Sequence, residues 1–373
     1  MMMNRSTFFS IKFLVQSFFI QTLFLLHYHS FHSIKVAMAS TAPKSTTHTT
    51  IKDILSRVQR WQNIHYQCHS NLPFVCVTYA QTIDGMIAIR KKTTTENNNN
   101  KDNYININNN DGDNQQQCLN KVSSNLKLSC DDSMQFTHAL RSIHDGILVG
   151  GNTLMTDNPR LNNRLWKSNN NKDDTDDNCI ESKSSFHQPT PVILDTNLKH
   201  IMQMMNSQTN IRTLGSHEKI IICCSHEAFD NHNEEIQNTF ENNVIQLLPC
   251  QQNEIMNEKG TRLRRMDLRD VLHNLHITCG IKSLMVEGGS SILSSFIQCA
   301  SDIVDCACVT IVPKMLGGVN GLCGLEGCDL VQSNDDDDES QAGIEFDPLN
   351  SVWTTIGSDC IFLGVCPLKS GIV

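Results

Sequence analysis

Apolar residues at Ile54, Leu55, Val58, Trp61 and Ile64 recur at helical spacing and predict a helix over 51–67. Beyond it the pattern changes to short apolar runs bounded by turn residues. Phe74–Tyr79, Gly146–Val149, Val192–Leu194, Ile220–Cys223, Val244–Leu248, Leu284–Val286, Cys306–Val312 and Cys360–Val365 have the length and composition of strands. Helical spacing returns over Met134–Ile143, Leu268–Leu275 and Ile292–Cys299. Strands alternating with helices predict an α/β domain built on a largely parallel central sheet flanked by helices. The last two runs are expected to pair antiparallel at one edge. There is no internal repeat.

Three polar stretches interrupt this pattern: Thr93–Gln117, rich in Asn and Gln, Ser168–Ser185, rich in Asn, Asp and Ser, and the acidic Ser333–Gln341. None carries enough apolar surface to offset the entropy of ordering, so each is expected to be a disordered insertion. The domain reading is therefore a core over 73–367 with insertions near 92–127, 167–188 and 332–343. An extension carrying the first helix precedes it over 40–72. Residues 1–39 read as a leader, because Phe13–Leu26 is apolar and Ala37-Met38-Ala39 resembles a cleavage pattern. Gln16, Ser17 and Gln21 break that stretch, so no stable membrane span is expected. Translation from Met1 implies entry into an organelle of plastid type, and a start at Met38 implies a cytosolic protein.

Composition narrows the chemistry. The 373 residues hold 30 Lys+Arg and 39 Asp+Glu, a net charge of −9, and this acidic balance gives no reason to expect a duplex-DNA binder. The 16 cysteines lie in a long chain, several inside apolar runs such as Ile221-Ile222-Cys223-Cys224, which fits reduced thiols packed as small hydrophobes. No Cys-x-x-Cys pair exists, and no metal site is expected.

Three segments carry candidate chemistry. In Ser283–Leu293 an apolar strand ends at Glu287, Gly288-Gly289 lets the backbone turn, and Ser290 or Ser291 is placed to cap the helix that follows. A glycine turn into a helix N-terminus presents free N–H groups to an anion such as phosphate. It is neither a Rossmann fingerprint nor a Walker loop, and a plain strand-to-helix turn is the competing reading. Leu140–Arg164 repeats the theme: helix, strand, Gly150-Gly151, then a polar turn with Thr153, Asp157, Arg160 and Arg164. Its arginines suit bidentate phosphate recognition, or are simply solvated. In Pro73–Ala88 a strand ends at Thr82 and Asp84-Gly85, either a tight bend or a ligand position at the carboxyl end of a sheet strand.

In this order, with Ile193-Leu194-Asp195, Val304-Asp305 and Pro313–Gly318 between and after them, the segments resemble the riboflavin-biosynthesis reductase family from about Pro73 to Val365. The resemblance implies a dihydrofolate-reductase-like fold, a homodimer, and reduction by NADPH of a pyrimidine ribosylamine phosphate to the ribityl compound. It implies cofactor contacts at Thr153, Asp157, Gly288, Gly289, Ser290, Ser291 and Ile292. Substrate contacts fall on Arg141, Leu161, Arg164 and Glu287, the arginines at the 5′-phosphate and Glu287 at the ring or ribose. Asp84 and Glu287 are the candidate catalytic groups, Asp84 to orient the amine or relay a proton. Cys306–Val312 is the candidate edge for strand-mediated pairing of two copies. Thr82 stands where the family usually has Ser. The combined His-x-Glu and Pro-Cys-x-x-Cys zinc motif of the family's deaminase partner domain is absent from this sequence, which has no Pro-Cys-x-x-Cys. That favours reduction of 2,5-diamino-6-ribosylamino-4(3H)-pyrimidinone 5′-phosphate. The alternatives are the deaminated 5-amino-6-(5-phosphoribosylamino)uracil as substrate, or a catalytically silent nucleotide-binding relative.

Overall fold

A computed structural model of the chain describes residues 44–68, 71–89, 127–167, 187–207, 212–240, 244–256, 262–299, 303–317, 321–325 and 344–366. The leader and the three polar runs lie outside them. Two units are distinguished, Met1–Lys52 and Asp53–Val373, and the sheet belongs to the second. Helix α1, Lys44–Cys68, runs from the first into the second. From Asp53 onward it is part of the unit that holds the sheet: Gln62 Nε2 donates to Ile143 O at 3.0 Å and His65 Nδ1 donates to Asp305 at 2.9 Å.

The central sheet has nine strands in the order β12-β13-β10-β1-β9-β3-β4-β5-β6. These are β1 Phe74–Thr82, β3 Gly146–Gly150, β4 Thr190–Leu194, β5 Ile220–Ser225, β6 Ile245–Cys250, β9 Ser283–Gly288, β10 Cys306–Val312, β12 Val352–Ile356 and β13 Asp359–Val365. Every pairing from β10 across to β6 is parallel, and β13 is antiparallel to β10 and β12. This is the largely parallel sheet expected, with the antiparallel pair at one side. One expectation is corrected: β10 is interior, hydrogen-bonded to β1 on one side and β13 on the other, so it offers no edge to a second copy.

Burial on both faces explains why the strands read as continuous apolar runs. Successive side chains alternate between two core clusters. Leu148, Ile221 and Cys223 point to one face, under α6, Leu268–Cys279, and α7, Ser290–Gln298. Ile147, Val149, Ile220, Ile222 and Cys224 point to the other, under α3, Gly151–Asp157, α4, Lys199–Ser207, and α5, His226–Thr239. Helix α2, Asp131–Arg141, buries Phe136, Ala139 and Leu140. Two small two-stranded sheets complete the fold: β2, Met86–Ile89, with β11, Gly321–Cys323, and the hairpin of β7, Gln252–Met256, with β8, Arg262–Met266. Among the described residues no helix is long and apolar enough to cross a membrane.

Candidate active site

Parallel strands bring their carboxyl ends to one edge of the sheet, where ligands of such folds bind. Thr82 ends β1, Glu287-Gly288 ends β9, Gly150 ends β3 and Leu194-Asp195 ends β4. Residues from four distant parts of the sequence thus meet on one rim.

Glu287 is held by Arg141 from the last turn of α2. Arg141 Nε donates to Glu287 Oε1 at 2.7 Å and Nη2 to Oε2 at 2.6 Å, the fork-to-carboxylate geometry of a strong ion pair. Nη1 donates to Asn162 O at 3.0 Å. Both side chains are largely shielded, at 10% and 15% exposed. The Arg141 guanidinium therefore positions Glu287 and the 162 carbonyl. Glu287, paired this way, presents further lone pairs that can accept hydrogen bonds.

Beside it, the β9–α7 turn is shaped by glycine. Gly289 is the N-cap of α7 at φ +83° and no side chain caps the helix, so the serines expected to do so do not, and the first amides stay open. A Cβ on Gly289 would stand 2.5 Å from Thr153 Oγ1, and Thr153 Oγ1 in turn donates to Gly288 O at 3.4 Å. Gly151 is equally tight, its added Cβ meeting His200 Nδ1 at 2.6 Å. Together these turns floor a cavity of about 830 Å³ whose wall includes Thr153, Gly289, Ser290, Ser291 and Ile292. A bare helix N-terminus, two backbones without Cβ atoms and a cleft of this volume fit a dinucleotide's phosphates and ribose.

Three expected site residues stand outside that cavity wall. Asp157 is at the exposed C-terminal end of α3, outside the cavity wall, because residues 151–157 form a short helix and not the polar turn expected. Leu161 is 1% exposed, in the core, with φ +53°; only its backbone is left for a ligand. Asp84 is tied down by the Thr82 hydroxyl and by the amides of Gly317 at 2.6 Å and Leu316 at 3.2 Å. Those bonds, Thr82 first, hold its carboxyl below the usual range, which opposes a role as acid and makes it the anchor of the 313–317 loop.

The loop after α3 gathers cations. Arg164 Nη1 donates to Asn162 Oδ1 at 3.2 Å, Arg212 N donates to Asn158 Oδ1 at 2.8 Å, and His217 Nε2 donates to Arg160 O at 2.8 Å. Burial, then the charges of Arg141, Arg160 and Arg212, lower the pKa of Arg164, with Glu287 opposing. Four guanidiniums facing one carboxylate leave an excess of positive charge suited to an anion. Arg160 and Arg164 were visible in the sequence; Arg212 was not, lying beyond the insertion near 167–188.

His138 backs this cluster. Fully buried, it accepts the Arg164 amide at Nδ1, while Nε2 has no partner. Burial first, then Arg141 and Arg164, push its pKa down from 6.5 to about 3. An unfolded chain therefore binds a proton here that the folded one refuses, so stability is full above pH 6.5 and is lost as pH falls toward 3. Urea unfolding of His138→Gln against wild type is expected to show that difference, about 1.4 kcal/mol per pH unit within this window. Parallel pH dependences would mean that His138 is protonated in the fold.

A family model described as the RibD C-terminal domain matches residues 73–341. The chain is 27% identical over 245 residues to a Candida glabrata protein named 2,5-diamino-6-ribosylamino-4(3H)-pyrimidinone 5′-phosphate reductase, covering 66% of this chain and 76% of that one. A Debaryomyces hansenii protein of the same name is 28% identical over 260 residues, covering 66% and 78%. A solved Saccharomyces cerevisiae riboflavin biosynthesis reductase aligns at a TM-score of 0.47 and 18% identity, over 84% of this chain and 99% of that one.

Proposed function

Because the chain belongs to the RibD C-terminal domain family, we propose that it is the oxidoreductase that reduces 2,5-diamino-6-ribosylamino-4(3H)-pyrimidinone 5′-phosphate with NADPH. The single observation that carries this reading is the buried Arg141–Glu287 clamp set beside the open Gly288-Gly289 turn. It puts a fixed acceptor for a substrate amine or hydroxyl next to a cradle for a dinucleotide. The fungal relatives bear the name of the diamino substrate, which supports that compound over its deaminated form.

The closed ribosylamine cannot accept hydride; its C1′–ring-oxygen bond must break, the ring oxygen leaving with the bonding pair and taking a proton from solvent to become a hydroxyl while the nitrogen lone pair forms the C1′=N iminium. The nicotinamide supplies the hydride that C1′ takes up, giving the ribitylamine. The protein's share is distance, charge and dryness. Glu287, unable to move because both its oxygens are engaged by Arg141, accepts a hydrogen bond from the substrate and favours the cationic iminium. Arg164, with Arg160 and Arg212, receives the 5′-phosphate. Thr153 and the Gly289 turn hold the cofactor against the rim.

The direct test offers the full chain NADPH with the diamino and the deaminated compounds side by side. Turnover of the diamino compound is expected. Turnover confined to the deaminated one would reverse the substrate assignment, and NADPH binding with no turnover of either would overturn the reading. Arg164→Ala is expected to raise KM for the phosphorylated substrate about 10-fold or more while barely affecting a dephosphorylated analogue. Equal losses on both would remove Arg164 from the phosphate subsite.

A further inference from the structure

The cavity does not end at the glycine turns. Its far wall is built by the β7–β8 hairpin and the first turn of α6, which contribute Arg264, Arg265 and Arg269. Arg264 is neutralised, lying 3.6 Å from both Glu227 and Glu254. Arg265 and Arg269 have no carboxylate partner among the described residues, and both are exposed into the cleft. The two acids of the wall, Asp195 and Asp267, are already occupied. Asp267 accepts the amides of Arg269 and Asp270 as the cap of α6. Asp195, at the end of β4, accepts His200 N at 2.9 Å, Ile201 N at 3.1 Å and His200 Nδ1 at 3.0 Å.

Resting on the reading of this cavity as the nicotinamide cofactor site, we propose that Arg265 and Arg269 bind the 2′-phosphate of the adenosine half and so select NADPH over NADH. Direction follows from the sheet order. Glu287 and the reacting end lie at β9, beside β1, whereas the hairpin follows β6 at the opposite margin. A dinucleotide with its nicotinamide at Glu287 and its phosphates at the Gly289 turn runs on past β3 and β4, carrying its adenosine toward these arginines. NADH places a neutral hydroxyl there, NADPH a dianion. Selection of NADH at a strand end of this type uses a carboxylate free to accept the ribose 2′-hydroxyl; Asp195, with its oxygens consumed by α4, does not offer one. Two guanidiniums with no carboxylate partner among the described residues are the complementary feature, since Arg matches phosphate by charge and by its planar fork.

The test is equilibrium binding to the full chain, read by the fluorescence of bound NADPH and NADH and by calorimetry with 2′,5′-ADP and 5′-AMP. Wild type is expected to prefer NADPH and 2′,5′-ADP. Arg265→Ala and Arg269→Ala each weaken NADPH about 10-fold or more, leave NADH within about 2-fold, and together erase the preference. Arg265→Lys, which keeps the charge and loses the fork, falls between. Because both side chains are exposed, unchanged thermal melts are expected to accompany these losses. Equal weakening of NADPH and NADH would place the arginines on the shared phosphates and overturn the proposal, as would a wild type with no preference. A wild type that binds neither nucleotide would overturn the cofactor reading itself, a result separate from either of these.

Discussion

Arg141→Ala is expected to destabilise the fold by about 3–5 kcal/mol and to lower kcat/KM by about 100-fold or more, the largest single effect on this protein. The stability loss follows from leaving the Glu287 carboxylate, 15% exposed, without the cation that offsets its desolvation. The catalytic loss follows from geometry: two hydrogen bonds of 2.7 and 2.6 Å fix the direction in which Glu287 presents its remaining lone pairs. Denaturant unfolding reads the first and steady-state reduction the second. The pair Arg141→Met with Glu287→Leu separates them. It removes both charges from a shielded site, so stability returns to within about 1–2 kcal/mol of wild type while turnover stays lost. A double variant that still reduced substrate would show the clamp to be structural only.

Gly289→Val is expected to weaken NADPH binding about 100-fold in a fluorescence titration. At φ +83° any side chain costs about 1–2 kcal/mol of backbone strain, and here the first added carbon also stands 2.5 Å from Thr153 Oγ1. The turn must open, which moves the amides at the start of α7 that the proposed function assigns to a cofactor phosphate. Gly289→Ala with Thr153→Ala removes the contact and keeps the strain, so it recovers part of the affinity lost in Gly289→Ala alone. Wild-type affinity in Gly289→Val would exclude the turn from the cofactor site.

The interior strands were legible because both faces of a parallel sheet are covered, which writes each one as an unbroken apolar run: Cys306–Val312 is found as expected, and β1, β3, β5 and β9 differ only by a few terminal residues. Elements that bury little were not. Helix α5 reads HEAFDNHNEEIQNT and buries only Ala228 and Ile236; the seven-residue α3 is too short to show a period; the β8 run RLRRM is charged because it faces the cleft; and β12 alternates weakly, with Trp353 exposed at the sheet's edge.

The same division runs through the site. Sequence alone determined the α/β class, the glycine turn after Glu287 and the helix that follows it, because these are local: a strand, a flexible turn and a helix start are neighbours along the chain. What Glu287 does was decided only by the fold, since its partner Arg141 lies 146 residues away. So were the quiet role of Asp84, set by amides at 316 and 317, the neutrality of His138, set by burial beside two arginines, and the placement of Arg265 and Arg269 across the cavity from the turn. Charge and protonation depend on what stands within a few ångströms, and only the packing of β1, β3, β4 and β9 into one sheet edge settles which residues those are.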